Sequence, residues 1–315
     1  MTRAERARRS EEYRAWVAAG GVGPRPARFD EVPAAQAPPA RYAPPVAVAP
    51  LERPAPQGHA SDPPRLVAVA SDIHWNSEAP SYRAWRRWHR AVRPHHTILL
   101  GDLIDAAMCS KHDPHKDDPL TILEELEALV RESNALLAEC GRLTLCIGNH
   151  DRRVEAYLRG PKPAVTRGLK GLSLPELARA HGLDPRVEWF SETAERPWLP
   201  VAQFHLQHGH NSSGRFGAGM HPAAMSITKS NGHSVLRGHL HRAQVYARTA
   251  FGKTAIGIAN PCLVKPMGYA PNADWQTGAS VLLLRPPHYD HATPYVIICD
   301  DEGGFCWGDR YYSGA

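Results

Sequence analysis

Three apolar segments in the first half of the chain each end at a short polar motif, and this pattern strongly constrains the fold. The segments cover 66–70, 97–100 and 143–147, with helical patterns over 80–92 and 118–140 between them. Apolar strands that alternate with helices predict a parallel β-sheet. Because ligands bind at the carboxyl ends of such strands, we expect the polar motifs to meet at one edge of the sheet.

Five polar motifs follow one another in a fixed order, and the first three come directly after these segments. They are Asp72-Ile-His74, Gly101-Asp102-Leu-Ile-Asp105, Gly148-Asn149-His150-Asp151, His208-Gly209-His210 and Gly238-His239-Leu-His241. A turn-forming role explains any one motif but not all five in order. Imidazole together with carboxylate suits Mn, Fe, Zn or Ni rather than Ca. The motifs therefore predict two metal ions side by side, which clamp both oxygens of a phosphoryl displacement.

The rest of the chain shows weaker patterns of secondary structure. Six short strand-like segments between 203 and 298, without recognised helices between them, predict a second and largely antiparallel sheet. Asp118-Pro119 predicts the start of the helix that stops at Gly141. The stripe Tyr82-Trp85-Trp88 favours the buried face of a helix, and base stacking on a nucleic acid is the alternative.

The five motifs resemble the signature of the calcineurin-like metallophosphoesterase superfamily over about residues 66–242. The resemblance implies an α/β fold, a four-layer αββα sandwich of two mixed β-sheets flanked by helices. It also implies a dimetal site at the C-terminal ends of the strands. As cofactors we expect two divalent metal ions, Mn²⁺ first, with Fe, Zn or Ni as alternatives.

The resemblance also assigns roles to individual residues. Seven metal ligands follow from it, namely Asp72, His74 and His241 for one ion, Asn149, His208 and His239 for the other, and Asp102 as the bridge. His150 would act as the general acid near the leaving-group oxygen, with Asp151 orienting it. The mechanism expected is in-line attack on phosphorus by a metal-bridging hydroxide.

Two assignments carry alternatives. His208 is favoured over His210 as the ligand because it directly follows the strand-like segment 204–207 and precedes a glycine. His210 would then be a substrate contact or a loop histidine. Asp105 matches the family pattern, but its expected role is structural rather than that of a ligand.

The second motif bears on the substrate. Ser/Thr protein phosphatases of this superfamily have Arg-Gly where this chain has Ala106-Ala107, and they have GNHE where it has GNHD. The chain looks more like the bacterial and phage branches that act on nucleotides or nucleic acids. The expected function is a phosphodiesterase or nuclease acting on DNA, RNA or a nucleotide. The alternatives are a phosphomonoesterase and a non-catalytic binding or scaffold protein.

Basic residues cluster after the third motif, over 152–170. Such a run indicates a phosphate-binding rim, and an ordinary solvated face is the alternative. The candidate substrate-binding residues are His210, Arg152, Arg153, Lys111 and His112.

The first 64 residues differ in composition from the rest. Residues 3–19 predict a short basic helix, and 24–64 hold twelve of the 29 prolines, which predicts an extended Pro/Ala-rich linker. The catalytic domain would then span 65–315, with a cap-like insertion over 160–200. Six cysteines without a CxxC pair, and the lack of a long apolar segment, predict a cytoplasmic protein with no membrane partner.

Overall fold

The computed structural model describes residues 12, 15, 62–75, 79–110, 120–160, 166, 169–210, 222–264 and 274–315. Glu12 and Ala15 are helical, and the rest of the predicted basic helix and most of the Pro/Ala-rich linker lie outside the described residues. Backbone contacts divide the chain into Met1–Arg53 and Pro54–Ala315. All elements given below belong to the second unit.

The described part of this unit forms thirteen strands, five α-helices and one 3-10 helix. In chain order they are β1 (Arg65–Ala70), α1 (Pro80–Val92), β2 (His96–Leu99), the 3-10 helix (Ala107–Cys109), α2 (Ile122–Glu139), β3 (Leu143–Cys146), α3 (Asp151–Arg159), α4 (Leu174–Ala180), β4 (Glu188–Phe190), β5 (Leu199–Val201), β6 (Phe204–Gln207), α5 (Pro222–Lys229), β7 (Ser234–Arg237), β8 (Gln244–Ala250), β9 (Lys253–Ala259), β10 (Gly278–Arg285), β11 (His288–Ile298), β12 (Phe305–Trp307) and β13 (Arg310–Tyr312).

The first sheet has six strands in the order β11-β10-β1-β2-β3-β4. Strands β1 to β4 are parallel, so the predicted parallel core, with motifs at its strand ends, is confirmed. The described part of the 160–200 segment supplies α4 and the edge strand β4. β10 and β11 were expected in a second sheet, but they extend the first one, because β10 pairs antiparallel with β1.

The second sheet has five strands in the order β5-β6-β7-β9-β8. Its three central strands are parallel and only its edge strands β5 and β8 are antiparallel to their neighbours. The expectation of a largely antiparallel sheet is therefore wrong. The sequence analysis missed α5, which lies between β6 and β7 and provides the crossover that parallel strands need.

The two sheets pack face to face, and helices cover their outer faces. Along β1, Val67 and Val69 join the core between the sheets, whereas Ala68 and Ala70 face the core shared with the helices. Helix α5 packs on the second sheet, where an added Cβ at Gly257 would collide with the carbonyl of Ala223. The four-layer αββα arrangement of two mixed sheets is thereby confirmed.

Two local predictions about helices have clear outcomes. Trp85 and Trp88 on α1 are fully buried, so the stripe belongs to the core and the base-stacking alternative is excluded. Helix α2 begins at Ile122 instead of at Pro119, because Thr121 and Glu124 form a capping box.

None of the described helices is long and apolar enough to cross a membrane.

Candidate metal centre

The five motifs converge where the strands of both sheets end. Two groups of ligand-type side chains that share no residue form there, one of Asp72, His74 and His241, and the other of Asp102, His208 and His239, and a third group joins the buried His74 to Asp105 and His150. In each group the candidate ligand atoms all lie within 4.8 Å of one another. The remaining predicted ligand, Asn149, places its Oδ1 3.0 Å from His208 Nε2. The geometry thus brings together all seven predicted ligands, and His210 belongs to none of the three groups.

The backbone at these positions is unusual. A left-handed backbone is uncommon outside glycine and clusters at functional sites. Five of the seven predicted ligands have it, namely Asp72 (φ +53°), His74 (+43°), Asp102 (+51°), His239 (+69°) and His241 (+55°). This strain turns the side chains toward one point, which is the arrangement that a shared ligand site requires.

Glycines let the motif loops approach one another closely. A Cβ added at Gly148 would collide with the carboxylate of Asp102. A Cβ added at Gly238 would lie 2.8 Å from the Ser71 side chain and 3.0 Å from Asp72 Oδ2. Gly148 therefore lets the third motif contact the second, and Gly238 lets the fifth motif contact the first.

Several ring nitrogens at the site have no ordinary partner. His74 is fully buried, and neither of its ring nitrogens makes a hydrogen bond to a described residue. Asp105 Oδ1 is 3.7 Å from His74 Nδ1, which is beyond hydrogen-bond distance. Since buried polar atoms are normally paired, these nitrogens indicate a further binding partner. Imidazole, carboxylate and amide donors around them fit divalent transition metals.

The charges of the site favour a cation. Burial would raise the pKa of Asp102, but the imidazole of His208 holds that pKa well below its usual value. Burial would lower the pKa of His208, yet the attraction of Asp102 raises it to about 10. At His239, burial and the neighbouring His208 lower the pKa to about 4. The carboxylates are therefore ionised and create a field that draws positive charge.

His150 lies against the metal ligands and is held by Asp105. His150 Nδ1 is 3.1 Å from Asp105 Oδ1 and 3.0 Å from the Asp105 carbonyl oxygen. Its ring centroid is 4.6 Å from that of His74, in an edge-to-face arrangement. Burial would lower the pKa of His150, but the bond to Asp105 raises it above the ordinary value. Arg153 Nη2 is 3.1 Å from His150 Nε2.

The carboxylate of Asp151 contacts the backbone of two motif loops. Its carboxylate accepts backbone hydrogen bonds from Leu103, Ile104 and Gly148 at 2.7–3.2 Å, and so joins the second motif to the third. The carboxylate that contacts His150 belongs to Asp105. The structure therefore places Asp151 between the two loops, and the predicted orientation of His150 by Asp151 stays a prediction. Burial and nearby Asp102 raise the pKa of Asp151 to about 6.

One site residue escaped the sequence analysis. The buried carboxylate of Glu192 accepts the backbone N–H groups of His208 and Gly209 and so fixes the fourth motif. It lies in the segment between β4 and β5, outside every motif. No spacing or composition in that segment distinguishes it from an exposed acid.

The predicted substrate contacts fall into three groups. Arg153 contacts His150 and donates to the Asp105 carbonyl at 2.9 Å. Arg152 is exposed and donates to the Glu192 carbonyl at 3.2 Å, and His210 lies beside His208 with ring centroids 5.3 Å apart. Lys111 and His112 lie outside the described residues.

Comparison with protein families matches residues 65–243 to the calcineurin-like phosphoesterases. The match covers more than half of the chain, and the protein therefore belongs to this family of metal-dependent phosphoesterases. No curated protein matches the chain significantly.

The chain is also similar to several solved structures at low sequence identity. Vacuolar Protein Sorting 29 from Cryptosporidium parvum is 14% identical over 80% of this chain and 100% of its own, with a TM-score of 0.43. Vps29 from Entamoeba histolytica in complex with Zn²⁺ is 14% identical, covering 79% and 99%, with a TM-score of 0.41. Yfce, a phosphoesterase from E. coli, is 11% identical, covering 73% and 98%, with a TM-score of 0.35.

Proposed function

We propose that the protein is a divalent-metal-dependent phosphodiesterase that acts on a nucleic acid or a nucleotide in the cytoplasm. The observation that carries this proposal is the convergence of two buried ligand groups with one further histidine, His150, between them. Such a centre can hold a phosphoester and also protonate its leaving group.

Each group would hold one ion. Asp72, His74 and His241 would bind the first, and Asn149, His208 and His239 the second, with Asp102 reaching both. When bound, the ions supply Lewis-acid activation of the phosphate and lower the pKa of the attacking water. We propose Mn²⁺ as the native ion, with Fe, Zn or Ni as alternatives.

The proton for the leaving group would come from His150, and the neighbouring Asp105 and Arg153 would set its position and its pKa. His150 would donate a proton to the leaving oxygen, since its pKa is raised by Asp105. Asp105 fixes the imidazole through Nδ1, while Nε2 accepts a hydrogen bond from Arg153 and lies 3.9 Å from Asp102 Oδ2. Once substrate displaces the contact with Arg153, a protonated Nε2 would donate to the leaving oxygen. Arg153 is partly exposed and would bind a non-bridging phosphate oxygen beside that proton.

The charge at this end of the site supports a diester. The second motif carries no cation at Ala106 and Ala107, and the Ala106 N–H is bonded to Glu125. The arginine beside His150 comes from α3 instead. Arg153 is the cation that contacts His150, and its single positive charge matches the one negative charge of a diester, whereas a monoester carries about 1.5 to 2 at neutral pH.

A direct comparison of substrates tests the proposal. With Mn²⁺, bis(4-nitrophenyl) phosphate should be cleaved faster than 4-nitrophenyl phosphate, and a chelator should abolish both reactions. A panel of single- and double-stranded DNA, RNA, cyclic dinucleotides and mononucleotides would then identify the substrate. As a control, replacing the exposed His233 by alanine should leave these rates unchanged.

Two other outcomes would reject the diesterase. Cleavage of monoesters alone would identify a phosphomonoesterase. Two bound metals without turnover of any phosphoester would identify a binding or scaffold protein.

A further inference from the structure

We propose that Trp275 is a positioning residue that holds the imidazole of His241 in place for the first metal ion. The inference rests on the two-metal centre of the proposed function. Trp275 lies outside all five motifs, in the segment that leads into β10.

The reason lies in how the ligand histidines are oriented. A metal-binding histidine usually donates its second ring N–H to a carbonyl or carboxylate, which fixes the ring. His208 follows this rule, since its Nδ1 donates to the Leu100 carbonyl at 2.7 Å. His241 turns Nε2 to Asp72 Oδ1 at 3.0 Å, but its buried Nδ1 has no hydrogen-bond partner among the described residues.

An aromatic contact replaces that hydrogen bond. The ring centroids of Trp275 and His241 are 4.2 Å apart, and their planes are inclined by 80°. This is the edge-to-face geometry that aromatic pairs prefer. The indole blocks rotation of the imidazole and excludes water from this side of the ring.

The residues on either side of Trp275 are bonded to His241 and to the residues that follow it. The neighbouring Gln276 donates its backbone N–H to the His241 carbonyl at 2.8 Å, and its side chain accepts the Ala243 N–H at 2.7 Å. On the other side, Asp274 forms an ion pair with Arg242. The Trp275 ring also packs on the buried side chains of Cys262 and Val264.

The consequence is a difference between the two metal positions. The first position depends on Trp275 for the orientation of one ligand, whereas His208 at the second position is oriented by the backbone. Removal of the indole should therefore weaken the first ion selectively.

Manganese binding tests this difference. Equilibrium dialysis against a series of free Mn²⁺ concentrations, with elemental analysis, would compare the wild type with Trp275→Ala and Trp275→Phe. Trp198→Ala is the matched control, because Trp198 stacks on a histidine that is not a candidate ligand, His205, at 4.3 Å. Thermal melting of the ion-free proteins would show whether each variant is folded.

We expect Trp275→Ala to bind one ion as the wild type does and the other about 10 to 100 times more weakly. Trp275→Phe keeps an aromatic ring and should recover most of that affinity, and Trp198→Ala should bind like the wild type. Should Trp275→Ala fail to fold, Trp275→Leu fills part of the space without an aromatic ring and should show the same selective weakening of one ion, whereas wild-type affinity for both ions in Trp275→Leu would overturn the role.

Wild-type affinity for both ions in Trp275→Ala would overturn the inference, and so would equal weakening of both ions in Trp275→Phe. Failure of the proposed function looks different, since a wild type that binds two ions without cleaving a diester leaves the role of Trp275 intact.

Discussion

Two buried histidines beside the first sheet, His74 and His89, have similar surroundings but differ in the hydrogen bonds of their ring nitrogens. Both are fully buried near a carboxylate. His89, on α1, uses both nitrogens, with Nδ1 2.8 Å from Glu139 Oε2 and Nε2 2.7 Å from Thr97 Oγ1. His74 uses neither nitrogen among the described residues.

The difference separates a structural polar cluster from a ligand site. In the His89 cluster, Arg86 also binds Glu139, at 2.6 and 3.1 Å, so the buried charges satisfy one another. Burial lowers the pKa of both histidines, so a shifted pKa does not distinguish them. Unbonded nitrogens and a left-handed backbone do, because His74 has both features and His89 lies within a regular helix.

The largest expected effect follows from removing the carboxylate of Asp102, which we propose as the ligand shared by both ions. Asp102→Ala should lower Mn²⁺-dependent diester cleavage by more than about 10³-fold, which exceeds the loss of a single stabilising contact. Rates with a chromogenic diester would measure it, and Asp301→Ala, at an exposed turn, is the control. Near wild-type turnover in Asp102→Ala would contradict a shared metal centre.

The next effect separates proton transfer from metal binding. His150→Ala should lower kcat by about 10²- to 10⁴-fold while both ions stay bound, because we propose that His150 is a proton donor and not a ligand. Steady-state rates and elemental analysis of the same sample would show it. Loss of an ion together with the rate would make His150 a ligand instead.

A smaller effect distinguishes the carboxylate of Asp105 from that of Asp151. Asp105→Asn should lower kcat by about 10- to 100-fold, since it loosens His150 and removes the carboxylate charge 3.7 Å from the ligand His74. Asp151→Asn should mainly lower the thermal midpoint, because its oxygens accept three backbone N–H groups. The reverse pattern would identify Asp151 as the residue that orients His150.

The sequence predicted this site better than it predicted the molecule around it. Strands β1 to β3 and the motifs behind them are local patterns, and the structure reproduces them within one residue at each strand end. The position of β10 depends on pairing with β1 more than 200 residues away, for example Arg65 with Leu284. Glu192 and Trp275 contact the fourth and fifth motifs from segments outside every motif, and such contacts leave no periodic signal.

The His89 cluster should respond to mutation in stability rather than activity. His89→Ala leaves the Glu139 carboxylate and the Thr97 hydroxyl short of a partner, which costs about 1–3 kcal/mol of unfolding free energy. Urea unfolding would measure the loss, and the folded variant should keep wild-type kcat and metal content. A reduced metal content would mean that the two clusters are coupled.

The smallest effect concerns pH. Burial lowers the pKa of His89 to about 4 in the folded protein, below its ordinary value of 6.5, although the bond to Glu139 opposes this. Between these values the unfolded chain binds the extra proton, so the stabilisation is complete above pH 6.5 and is lost as pH falls toward 4. His89→Gln should reduce the slope of unfolding free energy in this window by up to about 1.4 kcal/mol per pH unit. An unchanged slope would mean that His89 is protonated in the folded state.

The number of manganese ions per chain tests the central claim most directly. Equilibrium dialysis of the wild type, His89→Gln and Asp102→Ala against Mn²⁺, followed by elemental analysis, would count them. The ligand groups at the strand ends predict two ions in the wild type and in His89→Gln, and fewer in Asp102→Ala. Fewer than two ions in the wild type, or two in Asp102→Ala at unchanged affinity, would contradict a dinuclear centre built on Asp102.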